Sequence, residues 1–146
     1  VRGVDVNAGL RFRFAHDVIL SMQGTYTFQK AQDMTDPSDS VCYGGQISYI
    51  PWHSCSATGG IEWQGWSLHY SFIYVGERYH TSANTPANYE QPWYTHDLGL
   101  TRSFSLHAVH CSAALEVNNL LNQQYDVVQN YPMPGRNYKM TLKVEF

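Results

Sequence analysis

Apolar and polar residues alternate along several segments of this chain, most clearly in the last one. Side chains of a β-strand point to opposite faces in turn, so this period predicts strands with one apolar and one polar face. It occurs near residues 2–14, 17–29, 53–63, 66–79, 94–105, 108–119 and 137–146. Because no long segment has helical period, we expect an all-β fold, an antiparallel up-and-down meander of about seven strands.

The connections between these segments are of two kinds. Turns at 15–16, 64–65 and 106–107 are very short, whereas 30–51, 80–92 and 120–136 are long and polar. Transmembrane β-barrels have short periplasmic turns and longer extracellular loops, and their spanning strands are about 9–11 residues long. We therefore expect the three long loops to lie outside the cell, and Phe146 to end at the periplasmic edge.

Aromatic residues gather near the ends of the expected strands. Tyr and Trp favour boundaries between water and an apolar medium, where one end of the ring is wet. The expected outer girdle contains Trp52, Tyr79, Trp93 and Tyr94, and the inner one contains Trp63, Trp66 and Phe104. Two such girdles are typical of outer-membrane barrels.

Charge and composition argue against several other classes of protein. A net charge of −3 provides no basic surface for nucleic acid. The histidines lack the spacing of metal ligands and nothing marks a nucleophile, so we expect no metal site, no cofactor and no catalysis. Cys55 and Cys111 fall within apolar sets, where a free cysteine acts as a small hydrophobic residue.

About seven strands cannot close a barrel of this kind, because the first and last would meet parallel. Open edges are costly in hydrocarbon, where unpaired backbone groups find no partner. We therefore expect further strands N-terminal to Val1 that pair with both ends of this segment. On this interpretation residues 1–146 are the C-terminal part of a larger transmembrane barrel.

The segment LEVNNLLNQQYDVVQNYPMPGRNYKMTLKVEF, residues 115–146, resembles the C-terminal signature of TonB-dependent receptors. That signature has a penultimate strand ending in V-N-N-L-x-N-x-x-Y, a Y-P-x-P-G-R stretch and a last strand closing on Phe. The runs YIPWHS at 49–54 and YSFIYVGERY at 70–79 also resemble preceding strands of that family.

The same residues have a physical interpretation. Pro132, Pro134 and Gly135 break strand pairing and return the third loop to the sheet in one register. The side chains of Asn118, Asn119 and Asn122 can bond to backbone groups at the start of that loop.

The resemblance implies a barrel of about 22 strands, filled by an N-terminal plug that residues 1–146 lack. It implies uptake of a bulky solute, such as a siderophore, cobalamin or a glycan, with energy delivered through the TonB complex. It also implies that the last strand carries the signal read by the barrel assembly machinery, with Tyr138, Met140, Leu142, Val144 and Phe146 as its residues.

Aromatic and polar residues of the outer loops are the natural contacts for such a solute. The candidates are Tyr89, Trp93, Tyr125, Gln129, Asn130 and Tyr131. Two alternatives remain open at this point. A passive porin or structural barrel would need no plug, and a soluble all-β binding module would need no lipid-facing band.

Overall fold

The protein is a single antiparallel sheet with small hairpins in its long loops, in a computed structural model that describes residues 1–107 and 109–145. The strands are β1 Arg2–Arg13, β2 Ile19–Lys30, β3 His53–Trp63, β4 Trp66–Val75, β5 Arg78–Tyr79, β6 Tyr89–Glu90, β7 Trp93–Leu106, β8 Val109–Asn118, β9 Asp126–Val128, β10 Tyr131–Pro132 and β11 Asn137–Glu145. Seven of them form the main sheet in the order β1-β2-β3-β4-β7-β8-β11. The remaining four pair as the hairpins β5-β6 and β9-β10.

The all-β meander expected from the sequence is confirmed, with differences at the strand ends. The segment expected to run through 66–79 leaves the sheet after Val75. There the Gly76 N–H donates to the His53 carbonyl, and a Cβ on Gly76 would lie 2.7 Å from that oxygen. The 3-10 turns Ala15–Asp17 and Pro86–Asn88 are the helical segments described, and none is long enough to cross a membrane.

The register places the apolar residues of the main sheet on one face, which we call the apolar face. One row across it contains Leu10, Met22, Gly59, Tyr70, Leu98, Val117 and Tyr138. The next row contains Phe12, Leu20, Ile61, Leu68, Leu100, Leu115 and Met140. Because a slip of one residue would exchange the faces, this agreement between strands shows that the register follows the sequence pattern.

The opposite face, which we call the polar face, carries charged, hydroxyl and small residues. One row contains Arg11, Ser21, Gly60, His69, Gly99, Glu116 and Lys139. Within that row, Lys139 Nζ lies 3.3 Å from Glu116 Oε2. Gly60 and Gly99 have no side chain beyond a hydrogen atom, so the middle of this face stays open on either side of His69.

The sheet has no hydrophobic core of its own. Among the described residues, Ala31 is the one hydrophobic residue that is fully buried, at 1% exposure. Large apolar side chains of the apolar face are instead exposed, including those of Val4, Leu10 and Leu142. An exposed apolar surface of this extent requires a partner or a lipid environment.

The connections lie at two ends of the sheet, which we call the turn end and the loop end. Residues 14–18 and 64–65 form turns at the turn end, where His107 also lies. Residues 31–52, 76–92 and 119–136 form the first, second and third loops at the loop end. The predicted division into short turns and long loops is therefore confirmed.

Aromatic residues mark both ends of the apolar face, with one correction to the predicted girdles. Trp63 and Trp66 are paired neighbours at the turn end, and Tyr94 lies at the loop end. Trp93 precedes Tyr94 in β7 and pairs with Val75, so its side chain belongs to the polar face. Its assignment to the outer girdle was wrong because strand alternation sends adjacent residues to opposite faces.

The third loop is held at its base by Asn119, which is 4% exposed. The Gln123 N–H donates to Asn119 Oδ1 at 2.9 Å, and Asn119 Nδ2 donates to the Gln123 carbonyl at 2.8 Å. The Asn119 N–H in turn donates to Asp97 Oδ1 on β7 at 2.8 Å. This confirms the predicted bond between the Asn119 side chain and the backbone, and it fixes the loop to the sheet.

Asn122 connects the start of the third loop to its end. Its Oδ1 accepts a hydrogen bond from the Arg136 N–H at 2.8 Å. A Cβ on Gly135 would lie 2.7 Å from the same oxygen, so glycine at this position lets the Asn122 side chain keep its place. Asn118 instead bonds to a side chain, donating to Asn137 Oδ1 at 3.0 Å.

Lysine substitutions at adjacent positions of β7 test the assignment of the two faces. Leu100→Lys places a charge near the middle of the apolar face, where we expect a loss of about 2–4 kcal/mol in lipid. Thr101→Lys places the same charge on the polar face, where water is available, and should change stability little. Urea unfolding of the native protein in lipid vesicles measures both. Equal losses for the two variants would contradict the assignment.

Asn119→Ala tests the anchor of the third loop. The substitution leaves a backbone N–H and a carbonyl without their buried partner, which costs roughly 1–3 kcal/mol for each unsatisfied group. We expect faster hydrogen exchange and faster proteolytic cleavage within residues 119–136. Gln129→Ala, at the exposed end of the β9-β10 hairpin, is the control and should leave both rates unchanged.

Candidate functional site

A cleft of about 330 Å³ opens between the second and third loops. It lies at the loop end of the sheet, where β7 begins. Its walls consist of Tyr89, Glu90, Gln91, Pro92, Trp93, Gln123, Gln124, Tyr125, Asp126 and Pro132. This volume is at the lower end of the range of small-molecule sites, roughly 300–1,000 Å³, so the cleft can hold part of a bulky solute.

Trp93 and Tyr125 form the aromatic side of the cleft. Their ring centroids are 4.4 Å apart at an interplanar angle of 26°, a stacked arrangement. Such pairs contribute about 0.5–1.5 kcal/mol beyond the area that they bury. Burial raises the pKa of the Tyr125 phenol above its ordinary value, with a smaller contribution from Asp97, so the hydroxyl stays protonated.

Tyr89 lies on the second loop, where β6 pairs with β5. Its ring meets that of Tyr79 edge to face, with centroids 5.7 Å apart. Its hydroxyl donates to Glu77 Oε2 at 3.2 Å. Desolvation is the main reason that the pKa of Tyr89 is raised, and the bond to Glu77 adds to it.

The remaining walls are rich in amide and carboxylate groups. Gln91, Gln123 and Gln124 supply amides that can both donate and accept, and Glu90 and Asp126 supply acceptors. Gln123 is oriented by the Tyr94 N–H, which donates to its Oε1 at 2.8 Å. The cleft therefore combines aromatic surface with polar groups, as small-molecule sites commonly do.

Arg78 joins the two loops that form the cleft. It is 3% exposed, and its Nη2 donates to the carbonyls of Asp126 at 2.6 Å and Val127 at 3.3 Å. Burial lowers its pKa from the ordinary value, and the nearby Glu90 carboxylate opposes that shift. The same Glu90 carboxylate also lies close to His80, with 3.4 Å between Glu90 Oε1 and His80 Nδ1. Arg78 thus fixes the chain next to Tyr125.

The six predicted contact residues fall into two groups. Tyr89, Trp93 and Tyr125 line the cleft together. Gln129, Asn130 and Tyr131 lie at the end of the β9-β10 hairpin, where Tyr131 is 72% exposed, and they are not part of the cleft walls. Contact of either group with a solute remains a prediction.

Sequence reasoning missed Arg78 and the amides of the cleft. The runs YEQPW at 89–93 and QQYD at 123–126 contain aromatic and amide residues side by side, which was the available signal. No comparable signal pointed to Arg78, because its partners are backbone carbonyls of a loop far away in sequence.

Four of the five residues predicted to carry the assembly signal lie on β11. Tyr138, Met140, Leu142 and Val144 stand on the apolar face and are exposed. Phe146 lies outside the described residues. Of the described strands, β8 alone pairs with β11. The other edge of β11 therefore offers backbone groups for a further strand. The signal itself remains a prediction.

Residues 1–107 and 109–145 contain no group of three or more His, Cys, Asp or Glu side chains placed to hold a metal ion. Cys42, Cys55 and Cys111 are free thiols. Cys55 and Cys111 occupy the apolar face, opposite Tyr26 and Phe104. This position agrees with their predicted role as small hydrophobic residues.

No curated protein is significantly similar to the chain. The family described as TonB dependent receptor-like, beta-barrel matches residues 1–120. This range includes β1 to β8 and ends near the start of the C-terminal signature, so it is largely independent of that motif. The chain therefore belongs to the family of TonB-dependent receptor β-barrels, which lie in the outer membrane.

Proposed function

We propose that this chain forms wall and outer loops of a receptor that imports a bulky solute with energy delivered through TonB. The family supports a role in reception and transport at the outer membrane. The observation that carries the proposal further is the cleft between the second and third loops. Its Trp93–Tyr125 stack lies at the loop end of the polar face, where a solute would enter a barrel from outside.

The orientation follows from the two faces and the two ends. In a membrane barrel the apolar face contacts lipid and the polar face lines the lumen. Long loops of such barrels are extracellular and short turns are periplasmic, so the loop end faces the medium. The cleft would then contact the solute first, at the outer end of the barrel, before the solute reaches the plug.

The partners are those that the family implies in general, namely a plug, the TonB complex and outer-membrane lipid. Siderophores, cobalamin and glycans are the solute classes that we propose, and the chain would act in transport and not in catalysis. The barrel assembly machinery would recognise the exposed apolar residues of β11.

Conductance separates a plugged receptor from a passive porin. The native outer-membrane protein that contains this chain, inserted in a planar lipid bilayer, should show no steady open-pore current, because a plug fills the lumen. Its affinity for the purified periplasmic domain of TonB, measured by calorimetry, should be detectable. A steady current without TonB binding would support the porin and contradict the proposal.

Alanine variants test the cleft as the solute contact. We expect Trp93→Ala and Tyr125→Ala to weaken binding by roughly ten-fold each, because buried aromatic residues dominate binding energy. Cells that express the native receptor or one of the variants receive a radiolabelled ferric siderophore, cobalamin or oligosaccharide, each in a separate experiment. The radiolabel bound and taken up by the cells is measured.

The control is Tyr43→Ala, which removes an exposed aromatic ring from the first loop. Uptake of the accepted probe should survive this change. If Tyr131→Ala abolishes uptake while Trp93→Ala does not, the β9-β10 hairpin is the contact and the cleft is not.

A further inference from the structure

The cleft between the second and third loops carries negative charge. Its described wall residues include the carboxylates of Glu90 and Asp126 and no Lys, Arg or His. Glu90 lies close to His80 and to Arg78, which offsets its charge. The Asp126 carboxylate forms no ion pair or hydrogen bond with another residue in the described part of the chain. Asp126 therefore presents an unpaired carboxylate to a solute.

Arg78 lies behind the wall of the cleft and is not itself a wall residue. It is 3% exposed, and its Nη2 donates to the carbonyls of Asp126 and Val127. Its Nη1 is covered by the chain and has no hydrogen-bond partner among residues 1–107 and 109–145. A solute in the cleft does not reach this guanidinium. An anionic solute would meet Asp126 without a compensating cation, and like charges at a binding surface oppose association.

Three amides of the walls keep hydrogen-bonding groups available. Gln91 and Gln124 are exposed, and their side chains bond to no other described residue. Gln123 Oε1 accepts from the Tyr94 N–H, which leaves the Gln123 Nε2 to donate. Burial raises the pKa of the Tyr125 phenol, so its hydroxyl stays protonated and can both donate and accept. Hydroxyl groups of a solute match this set, because each of them also donates and accepts.

Aromatic and proline side chains give the same cleft an apolar side. Trp93 and Tyr125 stack with ring centroids 4.4 Å apart, and the 39% exposed Tyr89 lies in the same walls. Pro92 and Pro132 add aliphatic surface. Sugar rings have faces made of C–H groups, whose small positive charge suits the negative face of an aromatic ring. A carbohydrate therefore matches both sides of the cleft, the apolar one and the polar one.

We propose that the cleft binds an uncharged carbohydrate chain and disfavours anionic solutes, including ferric siderophores of net negative charge. The inference rests on the proposed function and narrows its solute to one class. The aromatic side packs against a sugar ring, and the amides and the Asp126 carboxylate bind its hydroxyl groups. At about 330 Å³ the cleft holds a short part of the chain, so the rest extends toward the barrel.

Matched neutral and acidic oligosaccharides test the class. The native receptor in detergent is offered labelled oligosaccharides of β-glucan, galactan and mannan, and those of glucuronan, galacturonan and mannuronan. We expect at least one neutral oligosaccharide to bind, and its acidic counterpart to bind at least about ten-fold more weakly, because the carboxylates of the solute meet Asp126. A receptor that binds none of the neutral oligosaccharides, or that prefers the acidic ones, would overturn the proposal.

Asp126→Asn tests the carboxylate itself. Hydrogen bonds to a charged group are stronger than those to a neutral one, so the variant should bind the neutral oligosaccharide about ten-fold more weakly. It should also lose part of the discrimination against the acidic counterpart. Asp5→Asn makes the same change on β1, at the far edge of the sheet, and should leave both affinities unchanged. Heat-modifiable migration in gels checks that each variant folds.

Two further probes separate this inference from the transport proposal. If a ferric siderophore binds more tightly than every neutral oligosaccharide and gains affinity in Asp126→Asn, the cleft serves an anionic solute and the carbohydrate class is overturned. Tighter binding of an amino-sugar oligomer than of its neutral counterpart would overturn it as well. Either result leaves import through TonB standing, because TonB binding is measured separately. Failure of the TonB measurement, in turn, leaves carbohydrate binding by the cleft intact.

Discussion

Antiparallel backbone pairing in one fixed register is the interaction on which the rest of this structure depends. In hydrocarbon every peptide group needs a partner, and a sheet supplies these partners between strands. The same register decides which side chains meet lipid and which meet the lumen. Because the sheet buries almost no hydrophobic side chain among its described residues, its stability depends on this ladder and on the surrounding medium and not on a core.

The loops depend on the wall, and their anchors are side-chain hydrogen bonds to backbone groups. Asn119 bonds to Gln123 within the start of the third loop and to Asp97 on β7. Asn122 connects the start of that loop to its end, beside Gly135. Arg78 then joins the second loop to the third through two carbonyl groups. These bonds lie outside the hydrocarbon, where water competes, and so burial of Arg78 and Asn119 is what makes them effective.

The apolar face is chemically uniform in its middle and different at its ends. At the turn end, Arg102 is satisfied by Trp66 and a turn carbonyl within the chain. At the loop end, Arg2 and Lys30 stand opposite each other, and the described strands place no carboxylate on the apolar face.

Much of the architecture could be predicted from alternation alone, because a strand's side chains have a period of two and the turns are short. The seven long strands, their order and both faces follow from that rule, as does the base of the third loop from its asparagines. Strand ends were less predictable, as at Val75, since a loop hairpin competes there with the sheet. Trp93 was misassigned although its neighbour Tyr94 was not, because an aromatic residue at a strand end is compatible with either face.

The sequence by itself determined the class of fold and the division into long loops and short turns. It also indicated, through the C-terminal motif, the family to which the chain belongs. Tertiary structure alone decided that Trp93 stacks on Tyr125 and that Arg78 joins two loops. The physical reason is the range of the interactions. Alternation and turn chemistry act between near neighbours, whereas these contacts join residues that only the paired strands and folded loops bring together.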